Sequence, residues 1–358
     1  MNASPSQPHP AEWPETQELR ATEERSLPAG RHEFHKEHLM AQIREDIRST
    51  GTPAPVRQRN PFLRKAILLP AGACALAGAI AGGVALSGGD GDSDGVTPLA
   101  TGPALTTQIG AADVKGGPQL LDRISLAAGS GDTDGPVVRD GQYVYIASKV
   151  ANTYPKTVNG KTTVVSTELH DRQVWQSADG KDGWLIEPGE TSDEGTTLAG
   201  PHPISSAYNS LVKLPADPDA LLRKIYQDAR ADKDKEVPVD QAAFVAIGDL
   251  LTESYPPAKL APALYKAAAK IPGVVAVDDA VDATGRHGVA VARMDDTGQR
   301  EEWIFDKKSL KFLGERTVQV KPSPDKNDPI KPGTVVSTSA ITQRAVVDGN
   351  KQMPSQAG

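Results

Sequence analysis

The sequence is nearly without cysteine. Cys74 is the only one in 358 residues, so no intramolecular disulfide and no Cys-based zinc site can form. Whatever folds here is held by its core alone. Aromatic residues are scarce at 4%, which leaves Val, Leu, Ile and Ala to build that core. A basic excess is also missing. The net charge is −7, the wrong sign for a general nucleic-acid binder. Catalytic signatures are absent too: there is no H-E-x-x-H, no P-loop and no dinucleotide fingerprint. The chain reads as a non-enzyme that carries no cofactor.

What is present first is one long apolar run. Ala66 to Leu86 (AILLPAGACALAGAIAGGVAL) holds 21 residues and no charge. As a helix it would extend about 31 Å at roughly 1.5 Å per residue, against a bilayer core of about 30 Å. Arg57, Arg59, Arg64 and Lys65 precede it, and Asp90, Asp92 and Asp94 follow it. The positive-inside rule then places the N-terminus in the cytoplasm and the C-terminal part outside the cell membrane. Three other readings stay open. They are a buried soluble helix, a long leader cleaved near Ala85-Leu86-Ser87, and a lipoprotein signal at Ala71-Gly72-Ala73-Cys74. The first lacks a polar face, and the other two place their signals far from the N-terminus. Gly78 and Gly82 form a GxxxG in this run, a spacing that lets two spans approach closely.

The pattern divides the chain into five parts. Residues 1–65 read as a cytoplasmic segment, largely disordered, with one amphipathic helix at 31–49 whose stripe is Leu39, Met40, Ile43 and Ile47. This segment has ten Lys and Arg against nine Asp and Glu, so the acidic excess lies beyond it. Residues 66–86 are the span, 87–116 a Gly/Asp/Thr linker, 117–348 an extracytoplasmic domain, and 349–358 a tail. Within the domain, Gly117 to Gly129 reads as a short helix. Alternation predicts strands at 142–152, 162–169, 173–177 and 184–187. Asp217-Pro218 opens a helix, and two more follow at 240–253 and 257–270. Strands return at 274–281, 288–293, 301–306, 310–320 and 334–347. Strands, then helices, then strands predict an α+β class: a mostly antiparallel sheet with packed helices, preceded by one transmembrane helix.

Candidate chemistry is sparse. His32, His35 and His38 share about 120° of one helix face, the pattern of a solvated face as readily as of a metal site. Asp90-Gly-Asp-Ser-Asp-Gly95 opens like a calcium loop, but Thr101 stands where a bidentate Glu is needed. His170, His202 and His287 lack a motif-level partner, and Asp278, Asp279 and Asp282 form a carboxylate cluster near a turn. No metal is assigned. Trp175, Trp184 and Trp303 lie on predicted strands, and Tyr143 and Tyr145 share a face. These aromatics pack a core or line a groove for an apolar ligand or partner.

Several stretches together are similar to one family: KEHLMAQI, LPADPDALLRKIY, IPGVVAVDDAVDATGRHGVAVAR, EEWIFDKKSLKFLGER, and the tail from Gly333 through Ser339-Ala340 to Val346-Val347-Asp348. They resemble an uncharacterised family of single-pass membrane proteins from high-GC bacteria, commonly encoded beside an extracytoplasmic-function sigma factor. The resemblance covers much of residues 32–348. It implies a cytoplasmic stub, one span and an outer domain, and an anti-sigma-like role with a sigma factor as the cytoplasmic partner. It carries no active site. His35 is followed by no C-x-x-C, a departure from zinc anti-sigma proteins. The expected function is a membrane-anchored regulatory or sensory protein. Its inner helix meets a partner through Leu39, Met40, Ile43 and Ile47, and its outer domain binds an unidentified ligand. The alternative is an extracytoplasmic lipid or ligand carrier resembling the half-open barrels of lipoprotein carriers, and an enzyme is the third reading.

Overall fold

The computed structural model describes residues 96, 98–130, 137–199, 206–231 and 237–355. The chain opens with β1 (Thr101–Pro103), β2 (Ala112–Asp113) and helix α1 (Gly116–Ser130). Then come β3 (Tyr143–Val158), β4 (Lys161–Thr167), β5 (His170–Ser177), β6 (Gly183–Ile186) and β7 (Thr196–Thr197). Four helices follow: α2 (Tyr208–Leu211), α3 (Pro218–Ala231), α4 (Val239–Glu253) and α5 (Leu260–Ala268). Five strands close the fold: β8 (Val274–Val281), β9 (His287–Met294), β10 (Gln299–Asp306), β11 (Phe312–Gln319) and β12 (Val335–Val347).

Local chemistry explains the joints. Asn159 and Gly160 both take positive φ, 49° and 76°. That is the two-residue turn whose twist matches a hairpin, and it closes β3 onto β4. Asp217 accepts a hydrogen bond from the Ala220 amide at 2.8 Å and caps α3, with Pro218 at its first position. The Asp295 carboxylate accepts from the amides of Thr297 and Gln299 and shapes the β9–β10 turn.

The strands form one sheet of twelve, ordered β2-β8-β9-β10-β11-β12-β3-β5-β6-β7, with β4 and then β1 paired off the second half of β3. The strand pairings are antiparallel throughout. The ends of the sheet are two-residue strands, β2 and β7, and short edges resist pairing with other chains.

This architecture corrects the α+β expectation. The long sheet dominates, with 38% strand against 24% helix among the described residues. The reason is pairing. β12 joins β3 over ten residue pairs, from Ser337↔Asn152 to Val347↔Tyr143, and so merges what read as two strand groups into one sheet. No helix among the described residues is long and apolar enough to cross a membrane. The run 66–86, with Gly78 and Gly82, lies outside the described residues, as do Leu39, Met40, Ile43 and Ile47.

Helices α1, α3, α4 and α5 cover one face of the sheet. Their core includes Leu121, Ile124, Leu221, Phe244, Ile247 and Leu264, packed on Val291, Trp303 and Phe305. Side chains alternate along a strand, so Arg300, Glu302 and Ile304 point to the other face. There a lead-in segment crosses the sheet. β1 pairs with β4, the Val335 amide donates to the Leu105 carbonyl and the Thr107 amide to the Gly333 carbonyl, both at 2.8 Å. β2 ends the crossing against β8. Under this segment Glu302, wholly buried, takes Arg300 on one oxygen and Arg316 on the other at 2.7 and 2.8 Å. The Gly110 carbonyl accepts from Arg300 at 3.0 Å, and the Thr107 hydroxyl accepts from Arg316 at 3.4 Å. Residues 101–113, within the stretch read as linker, are thus fastened to the sheet.

Candidate functional site

Helix α4 lies within the helix layer against the sheet, and polar contacts hold it there at three levels. Near its start, the Gln241 side-chain oxygen accepts a hydrogen bond from Arg293 Nη1, while Arg293 Nε donates to the Pro272 carbonyl at 3.0 Å. Asp240, beside it, accepts from the Tyr226 hydroxyl of α3 at 2.7 Å.

The middle level is the closest. Phe244 stacks on Trp303 with 3.9 Å between ring centroids and 5° between planes. One turn on, Gly248 brings the backbone so near that a Cβ there would sit 2.6 Å from Trp303 Nε1 and 2.9 Å from Glu301 Oε1. Trp303 Nε1 donates to Glu301 Oε1 at 3.0 Å, and Glu301 is 3% exposed. Burial pushes the Glu301 carboxyl up, to about 8. The Trp303 N–H and Arg293 hold it down, while the negative charges of Asp249 on α4 and Asp295 in the β9–β10 turn push it further up. Arg293, its cross-strand neighbour, has its N–H groups on Gln241 and Pro272 rather than on Glu301.

The third level is the C-terminal end of α4. Glu253 Oε2 accepts from Arg172 Nη1 at 3.0 Å, and Arg172 Nε donates to Glu187 Oε2 at 2.9 Å. His170 Nε2 lies 3.6 Å from Glu187 Oε1, and its Nδ1 is 2.9 Å from the Glu168 carbonyl. Burial alone would push the imidazole down. The bonds to Glu187 and to the Glu168 carbonyl, with the charges of Glu187 and Glu190, outweigh it and leave His170 above its ordinary value. Arg344 of β12 donates to the Leu251 carbonyl and lies over the Phe312 ring. Its burial pushes the guanidinium down from its ordinary value.

Four strands, β5, β9, β10 and β12, therefore meet one helix through a seam rich in ionisable groups, with Glu187 just after β6 joining it through Arg172. Chemically the seam can take up and release protons and can answer a nearby charge. Among the described residues, no three His, Cys, Asp or Glu side chains group as metal ligands.

Of the residues singled out by sequence, His170 joins this seam and Trp303 roofs its middle level. His287 is exposed, on Asp279 at 3.1 Å, with Lys307 on the same carboxylate. Asp282 accepts from Thr284 and Arg286 within its own turn, so Asp279 and Asp282 serve different partners. Tyr143, Tyr145, Trp175 and Trp184 gather on the face away from the helices. His202, His32, His35, His38 and Asp90 to Asp94 lie outside the described residues. The sequence reading missed Arg172, Glu187, Asp249, Glu253, Glu301 and Arg344. A usable signal was there: in Glu301-Glu302-Trp303-Ile304-Phe305, alternation sets Glu301 on the face of Trp303 and Phe305, and in β5 it sets Arg172 on the face of Val174.

Comparison with protein-family models and with curated proteins finds no match to this chain.

Proposed function

We propose that the chain is a membrane-anchored regulatory protein whose C-terminal domain senses conditions outside the cytoplasm. The apolar run Ala66 to Leu86 is the anchor, and the stripe Leu39, Met40, Ile43 and Ile47 contacts a cytoplasmic partner, a sigma factor in the anti-sigma-like form of this reading. The observation that carries the sensory part is the hold on α4. Buried ion pairs are poor stabilisers compared with apolar packing of the same volume. A helix held through Arg293 on Gln241 and Arg172 on Glu253, with Asp249 set near the buried Glu301, is therefore one whose seating depends on protonation and charge. Such an element is what a two-state sensor needs.

The test is a crosslinking pull-down from intact membranes, run with the full chain and with a chain lacking residues 1–60. Recovery of one partner by the full chain alone supports the reading. Equal recovery by both removes the inner segment from the function.

A second reading is an extracytoplasmic carrier of a lipid or other apolar ligand. The open sheet with its helix layer on one face favours it. Lipid co-purifying in fixed ratio with the domain, together with an inner segment that captures nothing, would put the carrier first.

A further inference from the structure

The aromatic residues on the face away from the helices make a row across three strands, with an alanine on a fourth beside it. Trp184 of β6 pairs with Trp175 of β5, Trp175 with Tyr145 of β3, and Tyr145 with Ala345 of β12. Tyr145 and Trp175 lie 5.0 Å apart, centroid to centroid. The row is covered by the chain's own C-terminal segment. Trp175 Nε1 donates to the Gln352 carbonyl at 2.7 Å, and the Lys351 ammonium lies 3.3 Å from the centre of the Trp184 ring. The Asn350 amide donates to the Asp182 carboxylate at 3.3 Å. Trp175 is left 1% exposed.

Three features distinguish this contact from ordinary core packing. First, the segment brings little apolar surface: Lys351 and Gln352 are exposed, and Met353 is 53% exposed. The sheet's side chains grip a backbone carbonyl and two polar side chains of the segment. Second, the gripping groups are positioned without the segment. Trp184 Nε1 already donates to the Glu194 carbonyl at 2.8 Å, and the Tyr143 hydroxyl already donates to Asp182 at 2.5 Å. Third, the segment meets the row as a turn, in which the Gln352 amide bonds back to the Gly349 carbonyl and Lys351 sits at φ 62°. A positive φ disfavours a side chain there, so the turn is strained while the row holds it.

We propose that this row is a peptide-recognition site, held in the resting chain by its own C-terminal segment, and that its ligand is a turn-forming segment of a partner protein with a lysine beside a side-chain amide. The lysine stacks on Trp184, the amide meets Asp182, and the following carbonyl accepts from Trp175. This inference is independent of the role of α4.

The test uses a labelled synthetic peptide of residues 349–355. It is titrated into the full chain and into a chain truncated after Asp348 whose folding is checked by its melting transition. The attached segment acts at an effective concentration near millimolar, so the truncated chain should bind at least about tenfold more tightly than the full chain. Replacing the peptide lysine by glutamine, or Trp184→Leu in the truncated chain, should each weaken binding about two- to fivefold, the range for loss of one cation–π contact. A folded truncated chain that binds no peptide, or binds it equally after Trp184→Leu, overturns the proposal. If truncation prevents folding, the full chain with Lys351→Gln decides. Tighter peptide binding than wild type supports the site, and unchanged binding overturns it.

Discussion

Glu301→Gln should make the domain more stable at pH 8 and leave it nearly unchanged at pH 5. Glu301 is buried against Trp303, and its carboxyl is pushed up to about 8 by burial and by Asp249 and Asp295. In the unfolded chain the same group ionises near about 4.3. Between these values the folded state holds a proton that the unfolded state has released, so stability falls as pH rises. One group contributes about 1.4 kcal/mol per pH unit, which sets an upper bound of about 4 kcal/mol between pH 5 and pH 8. Glutamine copies the protonated form. Its oxygen still accepts from Trp303 Nε1, and its amide can donate to Asp249. The measurement is urea unfolding of residues 96–358 followed by tryptophan fluorescence, repeated from pH 5 to pH 8. The difference between variant and wild type isolates Glu301 from every other titrating group. Parallel profiles across that range would refute the assignment of a proton to Glu301. So would a variant that loses more than about 1 kcal/mol at pH 5, because the amide would then not be filling the role of a neutral carboxyl.

His170 works in the same linkage sense, although its protonated form is the charged one. Its value is raised in the folded state, so its contribution is complete below about pH 6.5 and fades as pH rises through the folded value. His170→Gln should therefore destabilise at pH 6 and progressively less toward pH 8, and an equal loss at both ends would show a neutral, packing role. A fragment starting at Lys115 lacks β1, β2 and the groups that accept from Arg300 and Arg316. It should be less stable than one starting at residue 96 by at least about 1–3 kcal/mol, the range for unsatisfied buried donors, with equal urea midpoints as the contrary result. In the cytoplasmic segment, Ile43→Asp should abolish partner capture in the membrane pull-down while membrane insertion is unchanged. Undiminished capture would leave residues 31–49 as a tether only.

Local rules in the sequence located most strands and helices of this domain, and the reason is visible in each. Asn159-Gly160 marks a hairpin, Asp217-Pro218 a helix start, and the alternation of β9 and β10 their buried faces. The sheet as a whole was harder to read because its unity rests on β12 meeting β3, residues about 190 positions apart in the chain, and no local pattern encodes that partnership. The two-residue strands β2 and β7 carry no period at all. The site was legible only in part. His170 drew attention as a histidine, but only the fold brings Glu187, just after β6, to it, and links that glutamate through Arg172 to Glu253 at the end of α4. A charged residue on the apolar face of a strand was the one local clue, and Glu301 shows it: a glutamate in step with Trp303 and Phe305 must be either exposed at an edge or buried with a purpose.

Gly248→Ala tests whether the closeness of α4 to the sheet is what raises Glu301. By helix propensity alone the change favours the folded state, since alanine in a helix is better than glycine by about 1 kcal/mol. Geometry opposes it. The new methyl would lie 2.6 Å from Trp303 Nε1, 2.9 Å from Glu301 Oε1 and 3.2 Å from Trp303 Cε2, and the Trp303 ring cannot retreat because Phe244 is stacked on it. Overpacking of this kind costs about 1–3 kcal/mol, so the net effect should be destabilising. The helix must lift, and lifting admits water to Glu301 and separates it from Asp249. The carboxyl then falls back toward its ordinary range, and the loss of stability between pH 5 and pH 8 becomes shallower than in wild type. Glu301→Gln also flattens that profile, but by raising its alkaline end, whereas Gly248→Ala should flatten it by lowering the acid end. A variant that melts like wild type with the full pH slope would mean that α4 already has room at this level, and that the burial of Glu301 does not depend on how closely the helix sits.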